Sequence, residues 1–142
     1  MGQTIKEIYD DFEFLDDWED RYRYVIDLGQ ALPVFPDVDK NDATKVPGCV
    51  SQVWLTTQRG EGSDPVVTFA GDSDAHIVKG LVAIVLALFS GRKASEIMET
   101  DADLALRTLG LDEHLTPQRS NGLRSMVKRI KRDATLALEN VD

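Results

Sequence analysis

The stretch Lys45-Val46-Pro47-Gly48-Cys49-Val50-Ser51-Gln52-Val53-Trp54-Leu55-Thr56-Thr57-Gln58 decides the reading of this chain. Its second half, from Gln52 to Gln58, holds β-branched and aromatic residues and predicts a strand. Arg59-Gly60-Glu61-Gly62-Ser63-Asp64-Pro65 predicts a turn, and Val66 to Ala70 the returning strand, ended by Gly71. The two strands form a hairpin with a loop longer than two residues. The first half of the stretch is a tight loop around the only cysteine of the chain. Pro47 stiffens the approach, and Gly48 lets the backbone turn without steric cost. Ser51 and Gln52 supply hydrogen-bonding groups on the far side. Such a loop sets a sulfur at the lip of a strand, where a second molecule can reach it.

Helices flank this hairpin. Thr4-Ile5-Lys6-Glu7 has the form of a capping box, and Ile5, Ile8, Phe12 and Leu15 follow at helical spacing. Asp16 or Asp17 restarts a helix carrying Trp18, Tyr22, Val25 and Ile26, which Gly29 and Pro33 close near Ala31. Residues 33–48 hold three prolines and predict an irregular loop. Asp72 to Asp74 offer N-caps for a largely apolar helix to Phe89, stopped by Ser90-Gly91. Short helices follow at about 94–99 and 102–109, with Gly110 as the C-cap of the second. Thr116-Pro117 opens the last helix, with Leu123, Met126, Val127 and Ile130 inward, its bases outward, and fraying from about Leu138. The expected fold is α+β: a small antiparallel sheet of about three strands against several helices, in one domain over residues 1–142.

Composition narrows the function. The formal net charge of −9 opposes phosphate backbones, so no nucleic-acid partner is expected. The longest apolar run, Leu81 to Phe89, is far shorter than the ~20 residues of a membrane span, so no membrane partner is expected either. A single cysteine and no basic-then-apolar leader point to a reducing, cytoplasmic setting. Residues 1–42 carry twelve acids against four bases, whereas residues 115–132 carry six bases and no acid. That asymmetry reads either as two solvated helix faces or as ends that orient a protein partner.

Cys49 is the best nucleophile available, because it has no second cysteine to share a disulfide or a zinc ion. Only the thiolate is strongly reactive, and an acidic protein opposes it. Lys45 is the one cation nearby in sequence, and Arg119, at the predicted helix start, is the candidate from elsewhere in the fold. A cysteine–histidine hydrolase would need His76 or His114, and neither sits in a local signature for one. Asp72, Asp74 and His76 have weak metal-ligand spacing; the two aspartates are expected to cap the helix, His76 to lie in its first turn, and no metal is expected.

Four blocks give the chain a family likeness: Trp18 to Tyr24 through Leu28-Gly29-Gln30 and Leu32-Pro33; Lys45 to Trp54; Gly71-Asp72-Ser73-Asp74-Ala75 through Ile77-Val78-Lys79-Gly80-Leu81; and His114-Leu115-Thr116-Pro117 through Arg119-Ser120-Asn121-Gly122-Leu123. Together, in this order, they resemble the SufE family of cysteine desulfuration proteins. The likeness runs from about Trp18 to Ile130, and the first 17 residues and the tail beyond about Asp133 lie outside it. It implies a SufE/IscU-like fold and a sulfur acceptor that acts with a SufS-type cysteine desulfurase, not as an independent enzyme. Cys49 would take persulfide sulfur and pass it to an iron–sulfur scaffold complex. The partner would carry pyridoxal phosphate, and this chain no cofactor of its own. Lys45, Gly48, Ser51, Gln52, Asp74 and Arg119 would hold the loop or meet the partner, with the chain a monomer or a homodimer. The alternative is a regulatory partner of a desulfurase in which Cys49 carries nothing.

Overall fold

A computed structural model describes residues 4–49 and 51–139. The Thr4–Glu7 capping box opens α1 (Ile5–Phe14), and Asp17 accepts from the Glu19 N–H to open α2 (Trp18–Gln30). The loop after α2 contains one 3-10 turn at Asp37–Asp39. Strands β1 (Val53–Arg59) and β2 (Val66–Ser73) pair antiparallel, with Thr56 opposite Ala70. A two-residue strand β3 (Arg92–Lys93) joins the far edge of β2, giving the order β1-β2-β3. The expected α+β fold with three antiparallel strands is therefore present. Between and after the strands lie α3 (His76–Phe89), α4 (Ala94–Glu99), α5 (Ala102–Thr108), α6 (Leu111–His114) and α7 (Pro117–Glu139).

Side-chain alternation gives the sheet one dry face. Val53, Leu55, Val67 and Phe69 are buried beneath the helices, while Gln58, Thr68 and Ala70 face outward. Helix α3 is the central element, burying Ile77, Leu81, Val82, Ile84, Val85 and Phe89. Helix α7 lays Leu123, Met126, Ile130, Ala134 and Ala137 on the same core. Its inward stripe thus continues past Ile130, Leu138 and Glu139 are helical, and the rest of the tail expected to fray lies outside the described residues.

Three local expectations are corrected by long-range packing. Helix α2 closes at Ala31 as expected, but Gly29 lies inside the helix, where a Cβ would meet the Gly80 nitrogen at 2.6 Å. A Cβ on Gly80 would overlap the Val25 carbonyl oxygen, so this glycine pair lets α2 and α3 cross at close range. Gly71 does not end β2, which runs on to Ser73; a side chain at 71 would lie 2.8 Å from both Leu55 Cδ2 and Val82 Cγ1. Asp72 to Asp74 do not cap α3, whose N-cap is Ala75 without a side-chain bond. Asp72 instead meets Lys40 Nζ at 3.2 Å and Lys79 Nζ at 3.3 Å. Lys40 also lies 5.1 Å over the Trp54 ring, so Asp72 ties the 33–48 loop, the sheet and α3 together. The ends of the last helices also differ slightly: α5 closes at Leu109, and Gly110, with φ +72°, leads into the separate turn α6.

Gly80→Ala tests the α2–α3 crossing. Helix propensity alone would favour alanine by about 1 kcal/mol, whereas overpacking costs roughly 1–3 kcal/mol. A lowered denaturation midpoint is expected, and an unchanged or raised one would contradict the close crossing. Asp72 gives a pH test. Burial pushes its carboxyl up, but the Ser73 N–H, Lys40 and Lys79 outweigh burial and hold it below its ordinary value. A group depressed in the folded state contributes stability above its unfolded pKa of about 3.9, and that contribution is lost as pH falls through the folded value. Thermal scans should show the protein losing stability below about pH 4, with Asp72→Asn flattening that acid limb. Identical acid limbs would contradict the tie.

Candidate functional site

The cysteine loop is pinned at both ends by hydrogen bonds, main-chain on entry and mostly through side chains on exit. On its entry side, the Val46 N–H donates to Val53 O at 2.8 Å, and the Leu55 N–H donates to Thr44 O at 2.9 Å. Lys45 forms a β-bridge with Trp54, so residues 44–46 act as a short arm along the outer edge of β1. On the exit side, Gln52 is clamped. Its N–H donates to Asp74 Oδ1 at 3.0 Å, its side-chain Nε2 donates to Asp74 Oδ2 at 3.3 Å, and its carbonyl accepts from Ser73 Oγ at 2.7 Å. Asp74, a cap by its sequence position, is therefore a fastener of the loop. Between the anchors, Gly48 takes φ +86°, a left-handed conformation that L side chains rarely adopt. A Cβ there would also lie 2.6 Å from Ser125 Oγ, so the loop tip rests directly on α7.

Cys49 points down from this tip. Its Sγ donates to Gly122 O at 3.7 Å, a weak bond across 73 residues of sequence. Gly122 faces the sulfur closely enough that a Cβ at 122 would touch Sγ at 3.6 Å, an ordinary packing distance. Beside the sulfur is a cavity of about 200 Å³. Ser51 and Cys49 form its loop side, Val78 and Leu81 of α3 its apolar wall, and Gln118, Arg119, Gly122 and Met126 of α7 its floor. Burial pushes the Cys49 thiol above its ordinary pKa. At neutral pH the resting form is therefore the thiol, half-buried and poorly nucleophilic.

Arg119 reaches the same cavity, as does Ser51. The backbone N–H of Arg119 donates to Thr116 Oγ1 at 3.3 Å, and among the described residues its guanidinium forms no hydrogen bond or ion pair. It is thus available to an anion entering the cavity. Lys45 stands apart: it is exposed on the outer arm and does not line the cavity. His76 is exposed at the start of α3, and His114 stacks on Trp18 with ring centroids 3.8 Å apart. Neither lines the cavity with Cys49. Val46 is buried and does not line the cavity, and Val50 lies outside the described residues. The apolar lining comes from α3 and α7.

Sequence reasoning misses Gly122, Ser125, Met126 and Gln118. One signal was available: a glycine inside a helix costs about 1 kcal/mol relative to alanine and needs a packing reason. At 122 that signal marks the helix position that faces the Cys49 sulfur.

A family described as "SufE: Fe-S metabolism associated domain" matches residues 6–134. A SufE-like protein of Rhizobium meliloti (strain 1021) is 59% identical over 132 residues, covering 92% of this chain and 94% of that one. A SufE-like protein of Rhizobium etli is 58% identical over 132 residues, covering 92% and 89%. The solution structure of a hypothetical protein from Thermus thermophilus shares the fold, with a TM-score of 0.74, 20% identity and 96% of each chain covered. With the match spanning nearly its whole length, the chain belongs to the SufE family.

Proposed function

We propose that this protein is a sulfur acceptor and carrier for a cysteine desulfurase, with Cys49 as the accepting atom. The observation that carries the reading is a lone thiol, held by a doubly anchored loop, beside a cavity that also contains an arginine whose guanidinium is unpaired among the described residues. In the transfer, the Cys49 thiolate attacks the terminal sulfur of a persulfide on the desulfurase. A new sulfur–sulfur bond forms to Cys49 and the old one breaks. The electron pair leaves on the partner's cysteine sulfur, which takes up a proton. One sulfur moves, and no external oxidant or reductant is consumed.

Each neighbour has a part in this reading. Burial keeps Cys49 protonated until a partner docks, which limits side reactions with small oxidants. Val78, Leu81 and Met126 shield the added sulfur from bulk thiols, while Arg119 balances the charge of the persulfide anion. For the sulfur to be received and delivered, the tip must lift off α7. Gly48 is the hinge and Asp74 the fastener that resists it. Pyridoxal phosphate belongs to the partner, and an iron–sulfur scaffold would receive the sulfur.

The direct test is cysteine turnover by a desulfurase with this protein added, as wild type and as Cys49→Ser. Stimulation that disappears in the serine variant, with binding retained, is expected. Equal stimulation by both would replace the carrier with a purely regulatory partner. Asp74→Ala tests the fastener. Removing about 1–2 kcal/mol from the closed loop should speed alkylation of Cys49 in the free protein roughly 5–30-fold. Rates equal to wild type would contradict Asp74 as the restraint.

A further inference from the structure

Strand β1 is an edge strand whose outer side is only half covered. In an antiparallel pair, alternate residues turn their main-chain groups to opposite sides. Val53 and Leu55 use theirs outward, on the Thr44–Val46 arm, so Thr57 and Arg59 present theirs outward too. The arm ends before reaching them, because Asn41 to Ala43 turn away in the loop that Thr44 closes. Among the described residues, nothing bonds the outward main-chain groups of Thr57 and Arg59. Sheets of natural proteins ordinarily shield such edges. The opposite edge is shielded by brevity, since β3 has two residues, but β1 contains neither proline nor lysine.

Beside this open edge runs a cleft of about 440 Å³ between β1 and α7, with Leu55 and Leu136 among its apolar lining. Leu136 is 48% exposed there. Within the cleft Asp133 is already engaged, accepting from Thr57 Oγ1 at 2.6 Å and lying 3.5 Å from Arg129 Nε. The guanidinium of Arg59 donates to Ala137 O, Gly60 O and Gly62 O. Among the described residues the unpaired charges beside the cleft are the exposed Arg132 and Lys128, which form its rim one and two helical turns before Leu136.

We propose that this edge and cleft bind an extended, acidic peptide segment of another protein, which adds a short strand beside Thr57 and Arg59. The main-chain groups require an extended backbone, the cleft takes one apolar side chain, and the rim selects acids flanking it. A second copy of this chain fits less well, because pairing β1 with β1 would bring two Arg132–Lys128 rims together. At about 3.3 Å per residue the added strand lies roughly 15 Å along β1 from the cysteine loop, so it would tether a partner without covering Cys49. The site does not depend on sulfur transfer.

The test begins with a phage-displayed library of random peptides panned on the full chain. Enriched peptides are then synthesised and titrated against wild type, Thr57→Pro, Arg132→Glu and Cys49→Ser, with amide exchange followed site by site. Peptides alternating apolar and acidic residues should be enriched. Their binding should protect the Thr57 and Arg59 amides, which exchange fast in the free chain. Thr57→Pro and Arg132→Glu should each weaken binding about tenfold or more, and Cys49→Ser should leave it unchanged. Arg132 is exposed, so its variant keeps the test valid if the proline variant fails to fold. The proposal is overturned if no peptide is enriched, if binding ignores both substitutions, or if the two amides are already protected in the free chain. Sedimentation showing a dimer that protects them would assign the edge to a second copy instead.

Discussion

The main-chain clamp on Gln52 is the constraint on which the site depends. Asp74 and Ser73 hold that residue from the end of β2, while the Thr44–Val46 arm holds the other side of the loop on β1. Six residues separate Val46 from Val53, few enough that fixing both ends fixes where the tip can lie. The tip lands on α7, at Ser125 and Gly122, and the thiol is thereby half-buried against a helix that begins 68 residues later in the sequence. Reactivity and shelter are set by this one placement. The thiol is pushed toward its neutral form, and the space beside it is lined by residues from both α3 and α7.

The rest of the fold serves to keep β2 and α7 in register with each other. Helix α3 lies between them, seated against the sheet through Gly71 and against α2 through Gly80. Asp72, adjacent to the clamp residues, is itself locked by Lys40 and Lys79. Four consecutive residues, from Gly71 to Asp74, thus carry helix seating, an ion-pair node and the loop fastening. A substitution in this run would be felt at Cys49 even though none of the four lines the cavity.

What is legible in the sequence is local. The Thr4–Glu7 capping box, the Thr116-Pro117 start of α7, the apolar α3 and the β1–β2 hairpin all rest on short-range rules, and the structure contains each of them. The loop glycine Gly48 is legible for the same reason, since a tight turn is a local demand. Misreadings fall where a residue's purpose lies across the fold. Gly29 and Gly71 look like punctuation along the chain but are places of close approach. Asp72 and Asp74 precede a helix and look like caps, yet they spend their oxygens on Lys40, Lys79 and Gln52. Arg119 could be nominated as a cation for Cys49, and the two do share one cavity. The rest of the floor beneath the sulfur is legible only as a glycine inside a helix at 122, because nothing near position 49 announces contact with it.

The central claim is that the guarded thiol becomes the resting place of a sulfur made elsewhere. Intact-mass spectrometry of the full chain, taken without reductant after incubation with a cysteine desulfurase and free cysteine, addresses it most directly. The account predicts a gain of one sulfur atom, mapped by proteolysis to the Cys49 peptide and removed by a thiol reductant. Sustained desulfurase turnover with the chain remaining at its unmodified mass would contradict it.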